Sequence, residues 1–273
     1  MRRPLSGRNP VFYFCAVKLR RLARYFQWWF GRQKFSAAVS GDSLGYRVYK
    51  HQSVLVRRLG DSDLTLQYNK VENLKIAVEK LNGILIRPGE TFSFFRLVGR
   101  PTKKKGYLDG MMLSNGEATA GTGGGICQIA NLIRWLCLHS PLTISEHHHH
   151  SFDPFPDDGR VVPFGSGASV FYNYYDLQLK NDTDRTYQFL FWLDSKCING
   201  DLRIDRELPY KYHVYEKNHR FIQKNGEFFR QNELWRDKYL KKDSGDIIGT
   251  ELIRENNCLV KYTPAEYVTA DTI

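Results

Sequence analysis

Residues 123–138 read Gly-Gly-Gly-Ile-Cys-Gln-Ile-Ala-Asn-Leu-Ile-Arg-Trp-Leu-Cys-Leu, a glycine run opening into an almost wholly apolar segment. Ile126, Ile129, Ala130, Leu132, Ile133, Trp135, Leu136 and Leu138 leave no polar face, so the segment predicts a helix from Cys127 to about Leu138 that is buried on most sides. Arg134 is the exception, a single cation that must reach a surface or a partner. A helix start offers unpaired N–H groups and the positive end of the helix dipole, and glycines let backbone approach a ligand closely. Cys127 stands at that start, a setting in which a thiol can become a nucleophilic thiolate. The backbone amides of Gly124, Gly125 and Gln128 are the candidate oxyanion donors.

Downstream, His147, His148, His149 and His150 follow one another. In extended chain alternate residues share a face, which pairs His148 with His150 and His147 with His149. Three readings stay open. An imidazole serves as base to Cys127, or Cys127, His148 and His150 form a three-ligand zinc site, or the histidines are simply polar surface or hydrogen-bonded core. The first needs only one well-placed ring and is preferred, so the catalytic candidates are Cys127, His148 and His150, with no metal and no cofactor expected.

Outward from this stretch, Val71, Leu74, Ala77, Val78 and Leu81 form a helical stripe that Asn82-Gly83 stops. Residues 84–86 and 91–95 read as extended, around a Pro88-Gly89 turn. Residues 153–167 read as loop, and strands are expected at 169–180 and 186–193. Asn199-Gly200 and Asn225-Gly226 both lie between extended runs and predict hairpins. The fold class is α+β with β predominating: a basic arm over 1–41, a central domain over 42–205 and a β-rich extension over 206–273.

These residues resemble the VanW family, which is associated with vancomycin-resistance clusters. The resemblance rests on Pro88-Gly89-Glu90-Thr91-Phe92-Ser93-Phe94, Asn115-Gly116, Gly123 through Gln128, His148 and His150, and Asp176, Leu177, Lys180, Asn181 and Thr183. It spans roughly 69–205. It departs from the family pattern at His147, where an Arg is usual, and at Gly167, where an Asp is usual. The resemblance implies a cell-envelope protein with peptidoglycan stem peptides or their precursors as partner. The implied activity is a cysteine-dependent acyl transfer like that of L,D-transpeptidases. The alternative is a non-catalytic accessory or binding protein, to which the missing Asp lends weight.

The net charge of +11 suggests a nucleic-acid binder until it is located. Nine of the 40 Arg and Lys fall within residues 1–41, which hold no acid, so the rest of the chain with all 29 acidic residues is nearly neutral. Nucleic acid is therefore not expected as a partner. Leu19, Leu22, Phe26, Trp29 and Phe30 share helical spacing beside Lys18, Arg21 and Arg24, which suits either an anionic membrane surface or an ordinary packed helix with its basic face in water. The sequence shows no cleavable signal and no run of the ~20 apolar residues needed to span a bilayer. The expected location is cytoplasmic or peripheral at the membrane. Five cysteines without paired spacing argue against a disulfide framework.

Overall fold

The computed structural model describes residues 10–57, 64–114, 117–149, 152–154, 156–157, 159–172, 175–242 and 245–269. His150 and the Asn115-Gly116 pair lie outside these residues. Among the described residues the chain is α+β with strands in the majority, as the sequence suggests.

The organising helix, α4 (Cys127–Leu138), starts and stops where the apolar run does. Its flank of Ile129, Ala130, Leu132, Ile133, Leu136 and Cys137 enters the main core. There it faces a sheet ordered β2 (Tyr46–Val54), β11 (Cys197–Ile204), β10 (Tyr187–Leu193) and β3 (Leu85–Ile86). Trp135 and Leu138 point the other way, onto Val214 and Leu234 of the C-terminal sheet. That sheet runs β15 (Val268–Thr269), β12 (Tyr210–Lys224), β13 (Glu227–Leu240), β14 (Ile247–Val260) and β8 (Phe152–Asp153). Arg236 on β13 closes the helix by donating to the carbonyls of Leu138 and Ser140, each at 3.0 Å. A cation there also meets the negative end of the helix dipole. The β-rich extension is thus joined to the central helix by packing and by a cap.

A third sheet, β1 (Lys34–Phe35), β4 (Glu90–Ser93), β9 (Gln178–Lys180) and β7 (Thr143–Glu146), carries the chain toward the histidines. The hairpin of β5 (Asp109–Ser114) and β6 (Glu117–Thr122) leads into the glycine run. α2 (Leu64–Leu81) begins earlier than its apolar stripe and ends at Gly83, whose φ of +80° is the left-handed stop expected of it.

Several sequence expectations fail for identifiable reasons. Phe94 and Phe95, read as strand, open the short helix α3 (Phe94–Val98). Ser93 caps it, and the Phe95 amide donates to Asp176 Oδ1 at 3.0 Å, so an acid 81 residues away decides a local conformation. Among the described residues of 169–180 only β9 is a strand, because a Phe171–Tyr175 bridge folds the chain back on itself. Asn199-Gly200 is not a turn but the middle of β11, paired with Phe191 and Trp192. A Cβ at Gly200 would come within 2.9 Å of Leu136 Cδ1, so this glycine admits α4 against the sheet. The turn lies earlier, where Asp194 Oδ1 accepts the amides of Lys196 and Cys197. Asn225-Gly226 is the turn expected, with both residues at positive φ.

Helix α1 (Pro10–Phe30) is packed inside out. Its inward stripe is Val17, Arg21, Arg24 and Trp28, while Leu19, Leu22, Phe26, Trp29 and Phe30 face solvent. Arg24 forms a two-point ion pair with Glu146 on β7, Arg21 lies over the Tyr172 ring, and Trp28 belongs to the main core. An ordinary packed helix would bury its apolar side and wet its basic side. This one turns Arg21 and Arg24 inward beside Val17 and Trp28 and leaves five large apolar side chains outward.

Candidate functional site

The glycine run is held from α2. Asn73 Nδ2 donates to the carbonyls of Gly124 (2.9 Å) and Leu108 (3.0 Å), and Asn73 Oδ1 accepts the Leu108 amide at 2.8 Å. A Cβ on Gly124 would stand 2.1 Å from the Gly110 carbonyl oxygen, and one on Gly125 would stand 2.1 Å from Lys70 Cγ. Gly123 and Gly125 also sit at φ +79° and +88°. The three glycines are therefore demanded by close approach, of Pro101 to Gly123, β5 to Gly124 and α2 to Gly125, a packing role the sequence alone does not separate from ligand approach. Of the proposed oxyanion donors, Gly124 N–H already donates to Gly121 (2.9 Å) and Gln128 N–H to Gly125 (3.0 Å). The Gly125 amide donates to no described residue.

Cys127 is the first residue of α4, as expected, and its thiol donates to the Val170 carbonyl at 3.6 Å. The residue is half-buried by surface, but its sulfur is enclosed, and crowding around the sulfur governs its titration. Burial pushes the thiol above its ordinary range, and the Val170 contact offsets this only in part. This is opposite to the thiolate that the helix start suggested. No described imidazole hydrogen-bonds the sulfur.

The histidines divide by face. His147 Nε2 meets the Gly167 carbonyl (3.0 Å), and His149 Nε2 meets Arg254 Nη2 (2.7 Å), their rings roughly parallel at 6.3 Å. His148 turns to the other side, stacking on Tyr175 and lying 3.0 Å from Glu146 Oε1. Burial would raise Glu146, but Arg24 and its hydrogen bonds hold the carboxyl below the usual range. A charged carboxylate thus orients His148. Burial, followed by the charge of Arg134, pushes His147 down to about 3.

The segment 167–170 separates the two faces from the helix. Its Ser169 amide donates to the His148 carbonyl (2.8 Å), its Ala168 amide to Asn131 Oδ1 (2.7 Å), and its Val170 carbonyl takes the Cys127 thiol. Gly167 faces Asn131, whose Oδ1 would be 2.8 Å from an added Cβ. Among the described residues no three His, Cys, Asp or Glu side chains converge as metal ligands.

The remaining shared motifs are framework. Asp176 is buried, and its carboxylate takes the Ser93 hydroxyl (2.5 Å) and the amides of Phe95 and Leu177. Asn181 Nδ2 bridges the carbonyls of Ile86 and Arg185, and its Oδ1 accepts from Thr183.

A family model described as VanW like protein matches residues 69–203. The chain is 32% identical to the vancomycin B-type resistance protein VanW of Enterococcus faecalis, over 98% of its own length and 97% of that protein's. The chain belongs to the VanW family. It is also 30% identical to the uncharacterized protein YoaR of Bacillus subtilis, over 40% of this chain and 37% of that one. No solved structure matches. The family is thereby linked to vancomycin resistance, and the motifs that carry it here fall mostly on the framework that holds α4.

Three charged groups went unassigned in the sequence. Lys70 is buried against Gly125, with its ammonium on Gln67 (2.7 Å), and burial lowers it to about 8. Arg134 and Arg254 lie near the His147–His149 face. Of the three, only Arg134 left a trace, as the lone cation in an apolar helix.

Proposed function

We propose that this protein is a non-catalytic binding or accessory protein of the cell envelope, serving glycopeptide resistance at an anionic membrane surface. The observation that carries the first half is the Cys127 thiol, enclosed, raised in pKa and bonded to the Val170 carbonyl. A nucleophile needs the opposite environment. The support for resistance is the likeness over nearly full length to a vancomycin B-type resistance protein. The natural partner on this reading is a peptidoglycan stem peptide or its precursor.

The membrane half is supported by α1. No helix among the described residues is long and apolar enough to cross a membrane. Yet α1 presents an apolar face, with Trp29 74% exposed, while the adjoining Trp28 is 8% exposed. Exposed Lys18 and Arg20 accompany that face, the combination suited to lying in a charged lipid interface. Since Trp28 and β1 belong to the fold, the test is substitution on the outward face rather than deletion of the arm.

One observation favours a second reading, in which Cys127 performs acyl transfer on stem peptides. Glu146 orients His148, filling the place of an acid that Gly167 cannot supply. If the 168–170 segment swung away, His148 would take the Cys127 proton and the thiolate would attack an amide carbonyl. The amine would leave with that proton, and an acceptor amine would cleave the thioester. The two readings separate by offering synthetic tetrapeptide and pentapeptide stems with an amine acceptor and examining the protein by mass spectrometry. The binding reading expects stem association unchanged by Cys127→Ser and no acyl adduct. An adduct at Cys127 overturns it.

A further inference from the structure

Arg134 is 2% exposed and Arg254 is largely covered, yet neither forms an ion pair with a described acid. Arg134 Nη1 donates to the Gly165 carbonyl at 3.1 Å, and Arg254 Nη2 meets His149. The Nε of each is buried without any hydrogen-bond partner. Three other inward arginines of this fold are paired with acids, Arg24 with Glu146, Arg230 with Asp153 and Asp157, and Arg236 with Glu251, while Arg21, whose Nε is also unpartnered, lies over the Tyr172 ring. Buried charges are ordinarily compensated, because desolvating a lone ion is costly. Here two cations face the same region with no described anion between them.

Beside them is a cavity of about 190 Å³. Arg254, His149 and Asn131 supply polar groups, Phe152 and Phe164 supply apolar wall, and Gly165 separates it from Arg134. Asp153 also borders the cavity, but Arg230 (3.2 Å) and the Tyr262 hydroxyl (3.1 Å) occupy its Oδ2. Arg160 borders it too and is engaged by Asp157. Among the described residues the unpaired charge facing the space is therefore positive. Burial, and next the charge of Arg254, lower Arg134 to about 10, and the same two arginines depress His147.

We propose that this cavity is a carboxylate-binding site, with Arg254 holding the anion, Arg134 adding charge behind the Gly165 wall, and Phe152 and Phe164 receiving a small adjoining apolar group. A guanidinium presents two parallel N–H groups that match a carboxylate. The volume is below that of sites for drug-sized ligands, so it takes an end group, such as the C-terminus of a short peptide. Asn131 on the rim is placed for the neighbouring amide, since its Oδ1 already holds the Ala168 amide and its NH2 points to no described partner. The site requires nothing of the Cys127 thiol and stands apart from the question of catalysis.

The test is calorimetric titration of the full chain carrying Cys127→Ala. The probes are N-acetyl-alanyl-alanine, its C-terminal amide, acetate and inorganic phosphate. The acid is expected to bind at least tenfold more tightly than the amide. Arg254→Gln should weaken it at least tenfold, with Arg254→Lys in between. Asn131→Asp, on an exposed residue that keeps its Ala168 contact, should weaken it comparably by placing a negative charge at the rim, so the proposal does not depend on the arginine variants folding. Acetate binding as well as the dipeptide would support the site and assign it to a free small acid. Equal binding of acid and amide, no binding of either, or phosphate binding in preference to both carboxylates would overturn it.

Discussion

Gly124→Ala isolates the claim that the glycine run serves packing. The added methyl would stand 2.1 Å from the Gly110 carbonyl oxygen and 2.2 Å from its carbon. That is about 1.3 Å short of the 3.4 Å at which ordinary contact begins, and the obstacle is backbone on both sides. Gly124 does not sit at positive φ, so torsional strain adds nothing. To relieve the clash β5 must move from the turn, which stretches the Asn73–Gly124 bond (2.9 Å) and the Gly123–Leu108 bond (2.9 Å). Two hydrogen bonds at about 1 kcal/mol each, plus about 1–3 kcal/mol of overpacking, give a loss of about 3–5 kcal/mol. The assay is urea denaturation of the unliganded protein followed by tryptophan fluorescence. Gly41→Ala is the control, since nothing lies within 4 Å of its added methyl, and it should stay within about 0.5 kcal/mol of the parent. If Gly124→Ala is as stable as the control, the glycine is there for a ligand and the packing explanation is wrong.

Arg236→Gln should cost about 2 kcal/mol in the same assay by weakening two charged hydrogen bonds at the end of α4. A loss below about 0.5 kcal/mol would mean the C-terminal sheet is held by apolar contact alone. His139 is buried between Tyr49 and Trp135, and burial lowers it to about 4 from 6.5. The unfolded chain therefore binds a proton that the native one refuses, and stability falls as pH drops from 6.5 toward 4. His139→Gln should flatten that part of the profile, and an unchanged slope would assign it to other groups such as His147. Replacing both Trp29 and Phe30 with Ser should remove binding to anionic vesicles without lowering the melting temperature, and retained binding would free α1 of a membrane role.

What the sequence reveals tracks how local each cause is. The apolar run makes α4 and its burial plain, and Gly83 and Asn225-Gly226 set their turns through their own backbone preferences. Asn199-Gly200 looks the same on paper, but its glycine answers to Leu132 and Leu136 of α4. The inside-out packing of α1 depends on Glu146, 122 residues from Arg24, and α3 depends on Asp176. Cys127 shows the same divide. Its place at the helix start was legible, whereas the Val170 carbonyl that accepts its hydrogen bond lies 43 residues on. Alternation separated His148 from His147 and His149, and the pair beside the cavity is His147 and His149, while His148 turns to Glu146 and His150 lies outside the described residues. The unpaired arginines come from α4 and β14, and no spacing rule joins them.

The central claim is that Cys127 is a packed thiol and not a nucleophile. The rate of iodoacetamide alkylation at each cysteine, resolved by peptide mass spectrometry between pH 6 and pH 9, tests it most directly. Alkylation needs the thiolate, so a raised pKa and an enclosed sulfur both slow it. The expected result is that exposed Cys15 reacts well before Cys127 at every pH, and that Cys127 gains only at the alkaline end. Labelling of Cys127 first, already at pH 6, would contradict the claim and return the protein to the acyl-transfer reading.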